Sequence, residues 1–288
     1  MALKDLQPAL TIEQQIANLK DIGLVIKDDK FAQSFLNEVS YFRFIKAFSL
    51  GLKPKNGNYN GNVTFEQLTE LYLFNVNFRQ LLFTQIERIE INLRCRVSNY
   101  FSVKYGALGY KDSANFINEK YHADFLKEIE QEVKRNKRLP FIYNFKSNYV
   151  DIPFYALIEV FSFGSLSKFF KNMLSVDKKN IALIYGVEYT YFESWIESIA
   201  YVRNICAHYG RLYNVKLTKK PKLYKQYKQN HISNMLIFGV ICCMKNIILN
   251  DIHWSNFVNK LDNLFKEYPL TKKELMGFPN NWKTLLVN

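Results

Sequence analysis

Apolar residues recur at steps of three and four along most of the chain, which is the spacing of amphipathic helices. The longest such run begins at the capping box Thr64-Phe65-Glu66-Gln67 and continues to Lys104. At about 1.5 Å per residue, one continuous helix over this run would be roughly 60 Å long, so a kink is expected near Asn75 to Asn77. Shorter helical patterns cover residues 11–23, 28–48, 113–138, 153–167, 190–214, 231–250 and 254–268. The pattern predicts an all-α fold.

The clearest loop is residues 53–62, with the sequence KPKNGNYNGN. Its Gly and Asn residues favour turns and are compatible with one small β-hairpin. The chain before this loop is too short to form an independent core, so the loop is not expected to be a domain boundary. A single domain over residues 1–288 is therefore predicted.

The chain carries a large positive charge, +13 over 288 residues, and Lys outnumbers Arg. Such an excess favours an anionic partner, with RNA, DNA and anionic lipid all admissible. The other interpretation of this charge is that it only keeps the protein surface soluble. Paired acidic metal motifs, Gly-rich phosphate loops and GxSxG are absent from the sequence, so no metal and no cofactor are predicted.

The four Cys residues show no CxxC pair, and Cys206 and Cys243 lie in apolar helical patterns where Cys acts as a small hydrophobe. This usage predicts a reducing compartment without a disulfide framework. Residues 1–10 lack the apolar core of a signal peptide. The most apolar run, 235–244, is too short to cross a bilayer. We therefore expect a cytoplasmic protein with no membrane partner.

Three groups suited to RNA cleavage occur within residues 201–210 (YVRNICAHYG), namely Arg203, Asn204 and His208. A four-residue step brings Asn204 and His208 to nearly the same helix face, and the long side chain of Arg203 reaches the same volume. Such a cluster could grip a phosphate, orient a 2′-hydroxyl and move a proton. Because Arg and His also fall at this spacing by chance, the motif alone is a hypothesis.

Several nearby residues are candidates to support this cluster. Glu159 stands alone among apolar neighbours, and a buried carboxylate needs a partner such as Arg203. Glu90 and Arg94 have the favourable i,i+4 order, so they are either paired structural charges or a polar lining beside the site. Glu90 is thus a second candidate partner of Arg203. Tyr209, next to His208, is the remaining supporting candidate.

A Lys-rich tract with interleaved Tyr follows the motif. Positive charge supplies phosphate affinity and Tyr rings offer stacking surfaces for unpaired bases, so an RNA-contacting surface is favoured over a solvated face. The predicted RNA-binding residues are Arg211, Lys216, Lys219, Lys220, Lys222, Tyr224, Lys225, Tyr227 and Lys228.

Taken together, several stretches resemble the Abi family of bacterial abortive-infection proteins, in its AbiD/AbiF-like group. The resemblance is carried, in order along the chain, by residues 41–48 (YFRFIKAF), 71–96 (LYLFNVNFRQLLFTQIERIEINLRCR), 153–170 (PFYALIEVFSFGSLSKFF), 195–214 (WIESIAYVRNICAHYGRLYN) and 276–282 (MGFPNNW). It implies a HEPN-type multi-helix bundle with its core over approximately 64–250. N-terminal helices within 1–50 and a C-terminal cap, 251–288, would pack on this core.

The resemblance also implies a function. Arg203 and His208 meet the HEPN signature Arg-x4–6-His, and Asn204 supplies its polar residue. HEPN ribonucleases pair two such domains, which implies a homodimer. Abi-family proteins are implied to be dormant toxins or antiphage factors, some associated with a small structured non-coding RNA as antitoxin. Toxins silenced by nucleotidylation carry Tyr two residues after the His, where this chain has Gly210, which argues against such regulation.

The leading hypothesis is a metal-independent endoribonuclease. In it His208 is the general acid/base, Arg203 stabilises the phosphorane-like transition state, and Asn204 orients His208 or the 2′-hydroxyl. One imidazole cannot serve two oxygens at once, so a dimer that supplies two His208 side chains suits the chemistry. A second hypothesis is a non-catalytic RNA-binding module that sequesters RNA. A third makes the cluster a structural hydrogen-bond network.

Overall fold

Nearly all regular structure in the chain is helical, which confirms the predicted all-α class. The computed structural model describes residues 8–49, 52–53 and 56–287. The helices are α1 (Ile12–Asp21), α2 (Asp29–Glu38), α3 (Phe65–Tyr105), α4 (Glu119–Arg135), α5 (Pro140–Asn148), α6 (Phe154–Leu157), α7 (Phe163–Asn172), α8 (Ser175–Leu183), α9 (Tyr189–Ala207), α10 (Lys225–Gln229), α11 (Ile237–Lys245), α12 (Asp251–Glu267) and α13 (Trp282–Val287). A π-helix, Phe42–Lys46, and four 3-10 turns, Gly109–Lys111, Ser113–Asn115, Ile158–Val160 and Lys273–Met276, complete them.

The long periodic run does form one helix, α3, of 41 residues. It begins at the predicted capping box, in which the Gln67 N–H donates to Thr64 Oγ1 and the Thr64 N–H donates to Gln67 Oε1. Both bonds satisfy backbone N–H groups that have no partner within the helix at its start. The predicted element and its start are therefore confirmed.

The predicted hairpin is wrong for the described part of residues 53–62, where the chain forms turns instead of paired strands; residues 54 and 55 lie outside the described residues. The buried Tyr59 anchors this loop. Its N–H donates to the Ile22 carbonyl at 2.7 Å, and its hydroxyl hydrogen-bonds Ser49. These contacts hold Tyr59 against the C-terminal end of α1, so its N–H does not take part in a hairpin ladder.

The contacts divide the chain into two compact units. The first comprises residues 1–78 and 263–272. Its core contains an aromatic cluster in which Phe44 lies 4.8 Å from Phe35, 5.1 Å from Phe65 and 5.9 Å from Tyr72, measured between ring centroids. Tilted and edge-on rings of this kind add to the stabilisation from burial alone.

The second unit comprises residues 79–262 and 273–288. Helix α9 is central to it, because α7, α8 and α11 all pack against it. Its buried side includes Trp195, Ile199, Val202 and Cys206, as the sequence pattern predicts, whereas Ile205 is only partly buried. Helix α9, which carries the candidate motif, is therefore held by the helices that pack on its buried side.

His122 in α4 is buried, although its polar sequence context suggests exposure. Its Nε2 lies 2.7 Å from the Tyr110 carbonyl oxygen, and its ring stacks on Phe116 at 4.5 Å. A buried imidazole with a hydrogen-bond partner is a stable core residue. None of the described helices combines the length and the apolar character that crossing a membrane requires.

Candidate functional site

The candidate motif lies at the C-terminal end of α9, not near the middle of a helix extending to Asn214. Helix α9 ends at Ala207, and His208 is its C-cap. The His208 N–H donates to the Asn204 carbonyl at 3.0 Å. These two residues therefore lie one helical turn apart, as their four-residue spacing predicts. The helix end brings the His208 side chain to the surface.

A Schellman-type turn ends the helix. The Gly210 N–H donates to the Ile205 carbonyl at 2.7 Å, and the Tyr209 N–H donates to the Cys206 carbonyl at 3.2 Å. Tyr209 has a φ of +58°, a left-handed conformation that is usually left to Gly at this position. Gly210 is needed for close packing, because a Cβ there would lie 2.8 Å from Ile205 Cγ2. The turn fixes where the chain leaves the helix after His208.

Arg203 faces α3 from the last turns of α9. Its Nε lies 3.4 Å from Glu90 Oε2, an ion pair whose geometry is not that of a hydrogen bond. Its guanidinium carbon lies 5.7 Å from the centroid of the Phe83 ring. About a third of the side chain stays exposed (30%). The guanidinium is thus held on two sides and open to solvent on another.

Glu90 is itself fixed by Arg94. Arg94 Nη2 donates to Glu90 Oε1 at 2.9 Å, and the same guanidinium donates to the carbonyls of Ile158 and Phe161 at 2.5 and 2.9 Å. The Glu90 and Arg94 side chains are each only 12% exposed, so the pair is largely shielded from water. One carboxylate therefore links two arginines, and Glu90 is the partner of Arg203.

Glu159 is not that partner. It is exposed, contrary to the burial predicted from its apolar neighbours. It lies in the 3-10 turn Ile158–Val160, whose Ile158 side chain and carbonyl face inward, the carbonyl toward Arg94. The turn changes the direction of successive side chains, which a helical reading of this segment misses.

The Asn204 and His208 side chains are exposed. Within the described part of the chain, neither makes a side-chain hydrogen bond or ion pair. They lie at the same end of α9 as Arg203, so a guanidinium, a carboxamide and an imidazole occur within the last turns and the C-cap of one helix. Tyr209 is also exposed beside them. This set can bind an anionic group and exchange a proton with it.

Arg79 and Phe83, both on α3, were not among the predicted site residues. Arg79 is buried, at 7% exposure, and its Nη1 donates to the Cys206 carbonyl at 3.4 Å. Its guanidinium carbon lies 5.8 Å from the Tyr209 ring centroid, so Arg79 contacts the turn that presents His208. Arg79, Phe83 and Glu90 are spaced by four and seven residues. One feature of the sequence could have indicated Arg79, because it is a charged residue on a face of α3 that is otherwise apolar.

The Lys-rich tract after the motif has its positive charge at the protein surface. Lys216, Lys219, Lys220, Lys222, Lys225 and Lys228 are exposed. Lys219 pairs with Glu197 at 2.7 Å. Arg211 is partly buried, and this burial lowers the pKa of its guanidinium.

Of the two Tyr residues of this tract, Tyr227 is not available for base stacking as predicted, and Tyr224 is only partly exposed. Tyr227 is 2% exposed, and its hydroxyl accepts a hydrogen bond from Asn246. The Tyr224 ring packs 4.8 Å from Tyr191 and 5.0 Å from Trp195. Tyr224 packs on α9, whereas Tyr227 is held by Asn246 and the Cys242 carbonyl, and burial of an aromatic ring favours both arrangements.

A family model described as Abi-like protein matches residues 34–214, which is more than half of the chain. The matched segment includes Glu90, Arg94 and the Arg203–His208 motif. Comparison with curated proteins and with solved structures found no significant match. The match over this length, with the all-α fold, places the protein: the chain belongs to the Abi-like protein family.

Proposed function

We propose that this Abi-like protein acts in abortive infection as a metal-independent endoribonuclease. Family membership points to the abortive-infection role. The cleavage chemistry is inferred from one observation, the Arg203 guanidinium oriented by Glu90 at the helix end where Asn204 and His208 are exposed. The site is suited to attack by a 2′-hydroxyl on the neighbouring phosphate of RNA.

In this reaction Arg203 binds the scissile phosphate. Its contact with Glu90 is made through Nε, so the two terminal amino groups can take part in binding phosphate oxygens. Negative charge accumulates on these oxygens in the transition state, and a fixed guanidinium stabilises it without reorganising. Asn204, exposed one residue further, orients the 2′-hydroxyl or His208.

His208 moves the protons. A base takes the proton of the 2′-hydroxyl while O2′ forms a bond to phosphorus. The bond from phosphorus to O5′ breaks, and an acid protonates the leaving oxygen. The products are a 2′,3′-cyclic phosphate and a 5′-hydroxyl. Because one imidazole cannot act at both oxygens in one step, we propose a homodimer in which each copy supplies one His208.

RNA is accordingly the proposed partner, as substrate and as a small structured RNA that keeps the toxin silent. The non-catalytic alternative, an RNA-binding module, uses the same charges. The two differ in what happens when His208 is removed, since a ribonuclease loses cleavage while a binder loses little.

The experiment compares wild type, His208→Ala and the control His253→Ala. Total RNA is sequenced after induction for new 2′,3′-cyclic phosphate ends, and the purified proteins are assayed on RNA in the presence of EDTA. We expect growth arrest and new ends with wild type and His253→Ala but not with His208→Ala. Equal cleavage by all three proteins, or by none of them in the purified assay, would contradict the proposal.

A further inference from the structure

A second basic surface, separate in sequence from the Lys-rich tract, lies at the end of α4 and along α5. We define it as residues 134–150 and name it the α4–α5 surface. These residues include no Asp or Glu. Their cations are Lys134, Arg135, Lys137, Arg138 and Lys146. The surface is therefore a local excess of positive charge.

Part of this charge is not neutralised by the protein. Lys134 pairs with Glu130 at 2.7 Å, and Arg135 pairs with Glu132 at 2.5 Å. Lys137, Arg138 and Lys146 are exposed, and none of the three makes an ion pair within the described residues. The pKa of Glu130 is lowered mainly by its hydrogen bond from Lys134 and in addition by the charge of Lys146, so Lys146 has a carboxylate nearby. Lys137 and Arg138 are the cations that remain to meet an outside anion.

The same surface displays aromatic rings. Ile142 is fully buried and sets the inner side of α5, so Tyr143 turns outward and is 68% exposed. Lys146 follows Tyr143 by three residues, on the same outer side. Tyr149, at the C-cap of α5, is 60% exposed, and its ring lies 5.1 Å from Phe145. Unlike Tyr224 and Tyr227, Tyr143 and Tyr149 offer ring faces to solvent.

Successive packed elements join this surface to the candidate site. Helix α5 packs on α6, and Tyr155 of α6 is again exposed. The next turn provides the Ile158 carbonyl that accepts from Arg94, and Arg94 holds Glu90 against Arg203. The α4–α5 surface is therefore connected to the Arg203–His208 motif through α6 and the 3-10 turn that follows it.

We propose that the α4–α5 surface binds an unpaired segment of the RNA that the Arg203–His208 site cuts, an inference that rests on the proposed function. Lys137 and Arg138 would neutralise phosphates, and Tyr143 and Tyr149 would stack on bases. Stacking of this kind needs bases that are not already stacked within a duplex, so single-stranded RNA is the chemistry that fits.

The test measures binding in the His208→Ala protein, which separates affinity from cleavage. The probe is an unstructured RNA of about twelve nucleotides, alone and annealed to its complement. Tyr143→Ala/Tyr149→Ala is expected to weaken binding of the single strand about 10-fold to 100-fold and to leave duplex binding unchanged. The control is Tyr121→Ala, which removes a ring of similar exposure (62%) outside the surface.

The charge component is tested by Lys137→Glu/Arg138→Glu, against the control Lys27→Glu/Lys30→Glu, which makes the same change in net charge at exposed positions. Loss of two phosphate contacts should reduce the slope of log affinity against log salt by about 1.4. The control should change it much less.

Affinities equal to those of the matched controls, or a Tyr variant that loses duplex and single-strand binding equally, would overturn the inference. So would preferential binding of this surface to anionic lipid vesicles. These results are distinguishable from failure of the proposed function. If wild type does not cut RNA but the surface variants lose single-strand binding, the surface stands and the ribonuclease does not. If wild type cuts and the surface variants bind and cut normally, the reverse holds.

Discussion

Glu90 Oε2 lies 3.4 Å from Arg203 Nε, and this ion pair joins the middle of α3 to the last turns of α9. The other oxygen of the same carboxylate accepts from Arg94, which also binds two backbone carbonyls. Glu90 is thus positioned before any substrate arrives. A guanidinium held in this way loses less conformational entropy when it binds a phosphate.

Glu90→Gln tests this positioning role. The substitution keeps the shape of the side chain but leaves two guanidinium groups without their carboxylate. We expect the cleavage rate to fall about 10-fold to 100-fold, because a small displacement of a catalytic group has effects of that size. The free energy of unfolding should fall by about 2 kcal/mol, since the pair is largely shielded from water. Single-turnover cleavage and urea unfolding measure the two effects.

Glu87→Gln is the control, since Glu87 is an exposed carboxylate on the same helix. It should leave both quantities nearly unchanged. A Glu90→Gln protein that cuts RNA at the rate of wild type would show that Arg203 does not depend on this carboxylate.

The longest helices were predictable because each depends on a local pattern, whereas α5 and α8 were not predicted. The α3 run and its capping box are a signal within one segment, and the buried side of α9 follows from the spacing of Trp195, Ile199 and Val202. The i,i+4 order of Glu90 and Arg94 was likewise readable from the sequence. Such features need no knowledge of the neighbouring helices.

The errors arose where neighbouring elements decide the outcome. The pattern alone could not choose Glu90 over Glu159 as partner of Arg203, because the 3-10 turn at residues 158–160 turns Glu159 outward. Burial of Tyr227 depends on the residues that surround it in the fold. The end of α9 at Ala207 depends on Tyr209 adopting a left-handed conformation, which is uncommon for this residue type.

Tyr209 provides a test of that conformation. Tyr209→Gly and Tyr209→Ala both remove the ring beside Arg79, but only Gly adopts a positive φ without steric cost. We expect the Gly variant to be more stable than the Ala variant by about 1 kcal/mol. The measurement is the midpoint of urea unfolding at equal m-value. If the Ala variant were the more stable, the left-handed turn would be in doubt.

Gly210 should tolerate no side chain, for a different reason. A Cβ there would lie 2.8 Å from Ile205 Cγ2 and 3.1 Å from the Ile205 carbonyl oxygen. Gly210→Ala is therefore expected to lower the free energy of unfolding by about 1–3 kcal/mol and to reduce cleavage, because the turn beside His208 must shift. Thermal unfolding and the cleavage assay measure both effects.

Gly61→Ala is the matched control for this substitution. A Cβ at Gly61 would have no atom within 4 Å. The stability and activity of the Gly61→Ala protein should equal those of wild type. Equal stability of the Gly210→Ala and Gly61→Ala proteins would show that the turn adjusts to a side chain without cost.

The cysteines give a prediction that needs no substitution. Cys95 is exposed, whereas Cys206, Cys242 and Cys243 are buried. Burial raises the pKa of the Cys206 and Cys242 thiols to about 12, and it raises that of Cys243 well above its usual value. Since the thiolate is the reactive form, these three should react very slowly at pH 7–8.

A disulfide reagent such as DTNB should therefore modify one thiol in the native protein and all four in denaturant. Raising the pH to 9 should not make Cys206 or Cys242 reactive, because pH 9 is still far below a pKa of about 12. Cys206 is the informative thiol, since it lies two residues before His208 and its carbonyl accepts from Arg79 and Tyr209. Rapid native labelling of Cys206 would mean that the end of α9 opens readily, which is incompatible with a preorganised site.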